Sequence, residues 1–173
     1  MSVRWIAFPL HPETPEEGQS LESLFAGRDI DIPSVLAHLK ATAEKLGLAF
    51  TERDMTYNSR RAQEMAKYAE AQECSHDFHR RVFEAYFARG ENIASYDVLA
   101  EIAAAAGLDP LAAEQAVRQG RYKEAVDQEW QRCRDMRITA VPTFHIDGRR
   151  LVGAQSYEAI AAMVRAAGVA ERA

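Results

Sequence analysis

Apolar and polar positions alternate across Val3-Arg4-Trp5-Ile6-Ala7-Phe8, which reads as a β-strand at the very start of the chain. Pro9, Pro12 and Pro15 then interrupt any regular pattern, and Glu13-Thr14-Pro15-Glu16-Glu17-Gly18 predicts an exposed acidic loop. From Pro33 the period becomes helical: Val35, Leu39, Ala43 and Leu46 share a face, and Gly47 supplies the stop. Leu48-Ala49-Phe50-Thr51 reads as a short extended piece, and Asn58 or Ser59 caps a helix running to about Ala71. Phe78, Val82, Phe83, Tyr86 and Phe87 form the stripe of a further helix that Gly90 ends. Ser95 caps the next, which holds Val98, Leu99, Ile102 and Ala106. Gly107-Leu108-Asp109-Pro110 then sets a C-terminal glycine, an N-cap aspartate and an N1 proline side by side, so one helix stops where another starts. A short helix and a longer one follow, the latter aligning Tyr122, Val126, Trp130 and Cys133.

The pattern changes at Ile138. Val141-Pro142-Thr143-Phe144-His145-Ile146 predicts a strand, Asp147-Gly148 a type I′ turn, and Arg149-Arg150-Leu151-Val152 the returning strand. Pro142 is unusual there, because it removes a ladder donor. Ser156 caps a last helix whose expected buried face is Ile160, Met163, Val164 and Ala167. Trp5, Phe8, Phe144, Ile146, Leu151, Ile160 and Met163 are the predicted core of the strand and hairpin part. The outline is strand, helical block, β-hairpin, helix, and the helical block carries no repeat of solenoid period.

At 173 residues the chain suits one domain, or one domain carrying an insertion, and needs no disulfide or metal to hold it. A formal charge of -5, with arginine pairs scattered along the chain, excludes a continuous basic stripe for nucleic acid. No apolar run reaches the roughly 18 residues that span a bilayer. MSVRWIAFPLHPE lacks the parts of a signal peptide, so the expected address is cytoplasmic.

The candidate chemistry is sparse. Cys74, His76 and His79 could ligate zinc, but no further pair completes a tetrahedral set, and a partly exposed helix start is the favoured reading. Cys133 lies on an apolar stripe and reads as a small buried hydrophobe, with Arg132 and Arg134 pointing away from that face. A Cys74–Cys133 pairing is left open, although a cytosolic chain argues against it. The glutamates of the acidic loop lack the apolar neighbours that acid–base work requires. His11, His38 and His145 fall on separate elements with no serine or cysteine partner. No nucleophile elbow, phosphate loop, zinc-protease motif or dinucleotide glycine motif is present. No catalytic residue, cofactor or metal site is expected from these residues.

One segment changes the picture. Thr139-Ala140-Val141-Pro142-Thr143-Phe144, continued by Asp147-Gly148-Arg149-Arg150-Leu151-Val152-Gly153-Ala154-Gln155, resembles the cis-proline segment of the thioredoxin-like DsbA family, in its FrnE-type branch. Ala140 stands where that branch usually has glycine. The resemblance extends to Phe8-Pro9-Leu10-His11-Pro12, to Tyr57-Asn58-Ser59, to Ala85-Tyr86-Phe87 and to Gly107-Leu108-Asp109, and so covers nearly the whole chain.

It implies an α/β, thioredoxin-like fold with an all-helical insertion: residues 1–56 and 138–173 as the core, 57–137 as the insertion. It also implies a cis Val141–Pro142 bond, with Val141 and Pro142 as the substrate-binding residues that face an extended peptide or thiol substrate. Family members carry a further strand, a Cys-X-X-Cys and its helix ahead of the strand seen at Val3, a unit of about 30 residues. Two residues cannot hold it, so the expectation is a chain without its redox centre, as a truncated reading of the gene or a redox-dead relative. Thiol–disulfide oxidoreductase by lineage, inactive as written, is therefore the leading reading. A glutathione-dependent 2-hydroxychromene-2-carboxylate isomerase and a non-catalytic peptide- or thiol-binding module are the alternatives. Expected partners exclude nucleic acid and membrane. They include a second copy of the chain, paired through the vacated sheet edge.

Overall fold

A computed structural model describes residues 2–169, and they pack as two compact units: residues 2–8 with 128–169, and residues 9–127. These are units of packing. The expected division into core and insertion at residues 57 and 137 concerns topology and is a separate matter.

The larger unit is helical. A two-residue strand β1 (Gln19–Ser20) leads into α1 (Leu21–Leu24), then α2 (Ile32–Lys45), strand β2 (Met55–Thr56), α3 (Arg60–Ala71) and α4 (Ser75–Phe83). A π-helical turn (Glu84–Ala88) extends α4, followed by α5 (Tyr96–Ala105) and α6 (Pro110–Arg118). Helix α3 packs on α4, α5 and α6. Met65, Phe78 and Leu99 are fully buried, and alanines at 69, 85, 103 and 113 are buried with them. Ile93, Ile102, Leu108 and Val117 complete this core, so large side chains interleave with small ones.

The local signals act largely as expected. Asp109 accepts from Leu111 N and Ala112 N at 2.9 and 3.2 Å and starts α6. At α3 the cap belongs to Asn58: its Oδ1 accepts from Arg60 N at 2.8 Å, while Ser59 caps no helix amide. The same Asn58 donates to the carbonyls of Thr14 and Pro12 at 2.7 and 3.1 Å, which anchors the acidic loop. That loop is less free than predicted, since Thr14 is buried and Glu16 pairs with Arg61.

Three expectations change in this unit. Residues 48–51 form no strand; Leu48 N donates back to Ala43 O at 2.9 Å and Thr51 N to Phe87 O at 2.8 Å. The strand lies later, at Met55–Thr56, because β1 supplies its partner there. The stripe of α2 is present but uncovered: Val35 is 48% and Leu39 41% exposed, and with Ile30 and His38 they line a shallow open groove.

Helix α7 (Lys123–Asp135) contributes to both units, with the boundary after Asp127. The smaller unit continues through β3 (Thr143–Ile146), β4 (Arg149–Val152) and α8 (Tyr157–Ala166). Asp147 and Gly148 take φ of 50° and 77°, the left-handed pair a two-residue I′ turn requires. Ser156 Oγ accepts from Ala159 N at 3.2 Å and starts α8. The predicted core of this unit is only half-buried, and no residue of α8 is fully buried.

The predicted strand at Val3–Phe8 is corrected. Those residues take no regular secondary structure and belong to no ladder among the described residues. A strand is defined by its partner, and alternation in the sequence cannot supply one. Glu129 of α7 holds the segment instead, accepting Ala7 N at 2.7 Å and pairing with Arg4 at 3.3 Å.

Candidate functional site

Hairpin geometry decides which backbone groups are available. Ile146 and Arg149 flank the turn and form a hydrogen-bonded pair, and Phe144 with Leu151 repeats it two residues on. Gly153 N donates to Pro142 O at 2.8 Å, which extends the same phase one pair further. The donor that proline lacks is thus one that would have faced β4. Residues 141, 143 and 145 fall in the opposite phase, so the amides and carbonyls of Thr143 and His145 face away from β4.

Val141 stands at the open end of that edge. It is 42% exposed, and among the described residues its backbone has no hydrogen-bond partner. The Val141–Pro142 peptide bond is cis. Thr143 Oγ1 donates to Ala140 O at 2.6 Å and fixes the approach to the proline. The two residues singled out in the sequence therefore sit together at the end of an open strand edge.

The thiols lie elsewhere and are both free. Cys133 is buried, and its Sγ donates to Ala7 O at 3.5 Å. Burial, and then the neighbouring Glu129, push the Cys133 thiol above its ordinary pKa, with Arg132 and Arg134 only partly opposing this. It is a poor nucleophile. Cys74 precedes α4 and packs on the helical core, and its side chain makes no cap bond. His79 is held neutral, its pKa lowered to about 4 by burial and then by Lys67. Among the described residues no group of three or more His, Cys, Asp or Glu is placed to hold a metal.

The other histidines are dispersed. His11 has φ of 51°, meets the edge of the Phe25 ring at 6.1 Å, and is held neutral by burial and then Arg28. His38 lies on α2 and His145 on the exposed face of β3.

Sequence reasoning missed Glu129. Its signal was available: it is three residues from Val126 and four from Cys133, a charge inside an apolar stripe. Only the fold shows that its partner is a main-chain amide more than a hundred residues away.

Comparison with known families is decisive for the lineage: the DSBA-like thioredoxin domain matches residues 1–165. The chain belongs to that family. This DSBA-like chain is 29% identical over 162 residues to the uncharacterized protein YwbO of Bacillus subtilis (strain 168), spanning 89% of this chain and 76% of that protein. Its fold is similar to that of a probable DsbA oxidoreductase from Streptomyces coelicolor, with a TM-score of 0.78 at 22% identity over 94% of this chain and 74% of that one. A candidate protein disulfide isomerase from Nitrosomonas europaea has a TM-score of 0.63 at 15% identity, covering 78% of this chain and 72% of that one. The DSBA-like chain thus has the thioredoxin-like α/β fold, here mostly helical with few strands. No helix among its described residues is long and apolar enough to cross a membrane.

Proposed function

We propose that this DSBA-like chain is of the thiol–disulfide oxidoreductase class by lineage, redox-inactive as residues 1–173, and that residues 141–145 hold an extended peptide or thiol substrate. The observation that carries the reading is the unpartnered backbone of Val141, continuous with the outward amides of Thr143 and His145. Such an edge takes an added strand through main-chain hydrogen bonds, which ignore sequence and so suit a protein with many substrates. The Gly153-Ala154-Gln155 ending favours the FrnE-type branch over the isomerase.

Neither Cys74 nor Cys133 is the redox nucleophile on this reading. No Cys-X-X-Cys stands within residues 1–173, and the buried Cys133 thiol resists ionisation. This chain alone is therefore expected to leave dithiothreitol-driven insulin reduction at the buffer rate. Two copies can also pair through the open edges, which is the homodimer this reading includes.

The direct test is an amide-resolved NMR titration with an extended peptide of serine, threonine and valine. Shifts concentrated at Val141, Thr143 and His145 support the reading. Shifts elsewhere, with these three unmoved, overturn it.

A further inference from the structure

Charge is divided unevenly between the two units. Residues 1–8 and 128–173 contain eight arginines and five carboxylates, a net of +3 inside a chain of net -5. Residues 9–127 hold the remaining thirteen Lys and Arg against twenty-one Asp and Glu. The larger unit also neutralises its cations locally: Lys40, Arg60, Arg61, Arg80, Arg89 and Arg118 each pair with a carboxylate.

In the smaller unit Arg4 pairs with Glu129, but most of the other described arginines lack such a partner. Among the described residues, Arg132, Arg134, Arg137, Arg149 and Arg150 have no carboxylate in ion-pair range. Arg134 spends its donors on the neutral amide of Gln131, at 2.7 and 3.1 Å. Arg150 donates to Met136 O at 2.7 Å and Arg137 O at 3.4 Å, at the C-terminal end of α7. Those carbonyls position the guanidinium at the negative end of α7, which favours the cation without supplying a full opposite charge. The same bonds bring Arg150 of the hairpin beside Arg137. Across the ladder Arg150 faces His145, which lies on the open strand. The hairpin that offers a free edge therefore also carries Arg150 on the face of His145 and Arg149 on the face of Ile146, neither in ion-pair range of a carboxylate among the described residues.

We infer that the edge at Val141–His145 selects extended peptides with acidic residues flanking the bound stretch. The inference rests on the peptide-holding reading above and adds its substrate class. Main-chain bonds give no preference for sequence, whereas several exposed arginines favour peptides of opposite charge and repel basic ones. A bound strand would supply the carboxylates these arginines lack.

The test uses the full chain and three fluorescent peptides of equal length. They share one Ser/Thr/Val stretch, flanked by glutamates, by serines or by lysines. The expected affinity order is acidic, neutral, basic. The acidic peptide should bind about three- to tenfold tighter than the neutral one, as two or three exposed ion pairs would give. The gap should close near 1 M salt, where screening acts within about 3 Å. The double variant R137Q/R149Q should lose the preference and keep the affinity for the neutral peptide; Arg150 is left in place because it holds the hairpin to α7. Equal binding of all three peptides overturns the charge inference and leaves the peptide-holding reading standing. No binding of any peptide overturns both. A single-stranded oligonucleotide that displaces the acidic peptide at equal charge also overturns the inference, since the surface would then read phosphate rather than peptide.

Discussion

Glu129 Oε2 accepts the amide of Ala7 at 2.7 Å, and Cys133 Sγ donates to the carbonyl of the same residue at 3.5 Å. Both main-chain groups of Ala7 are thus met by side chains one turn apart on α7. A segment with no ladder partner among the described residues is tied to a helix through one residue. Glu129→Ala leaves the Ala7 amide without its acceptor at a site where Glu129 is 5% exposed. The expected loss is about 1–3 kcal/mol in urea unfolding, with Glu129→Gln losing less because an acceptor remains. An unchanged midpoint for Glu129→Ala would show that the clamp contributes nothing.

The two thiols should differ in reactivity. A raised pKa means less thiolate at a given pH, and Cys133 is buried as well. Iodoacetamide at pH 7.5 is therefore expected to label Cys74 first, with Cys133 following only on unfolding. Mass spectrometry of timed digests reads the order, and early labelling of Cys133 contradicts it.

His79 makes stability sensitive to acid. Its folded pKa, about 4, lies below the ordinary histidine value of 6.5, so between these values the unfolded chain binds more protons than the folded one. The His79 contribution is fully present above about pH 6.5 and declines as pH falls toward 4. Proton uptake on unfolding near pH 5 should approach one at this site, and His79→Gln should remove that part of the slope. Denaturation midpoints measured from pH 4 to 7 in both proteins check it; identical slopes refute it.

Gly18 admits no side chain. Its φ is +89°, and a Cβ there would stand 2.5 Å from the Tyr57 ring and 2.8 Å from Thr56 O. Gly18→Ala combines left-handed strain with a clash against backbone, and a loss above about 1 kcal/mol is expected in thermal or urea unfolding. A neutral substitution would mean that the acidic loop rearranges freely.

Open edges predict association. Val3 and Ile6 are 70% and 37% exposed on a segment that joins no ladder among the described residues, and the β3 edge carries no further strand there. Sedimentation at low micromolar concentration should show a dimer that Ile6→Lys weakens. A well-folded monomer at every concentration removes the homodimer.

Local signals carried most of the helical unit. Gly107 and Asp109-Pro110 act through bonds within one turn, so they can be read without any knowledge of the fold. Asp147-Gly148 likewise dictates its turn, and the turn sets the hairpin register. Val141 and Pro142 were legible only as part of a resemblance, since a dipeptide by itself does not reveal an open edge.

What the sequence could not decide was every outcome that needs a distant partner. Alternation at Val3–Phe8 predicted a strand, but ladder membership depends on a neighbour, and a carboxylate on α7 holds the segment instead. The stripe of α2 determined a helix and not its burial, because burial depends on what packs against the face. Arginines are countable in the sequence, yet whether each meets a carboxylate depends on distances of a few ångströms across elements. Hydrogen bonds within a turn are local and are written in order along the chain. Pairing, burial and charge compensation are non-local, and only the tertiary structure brings their members together.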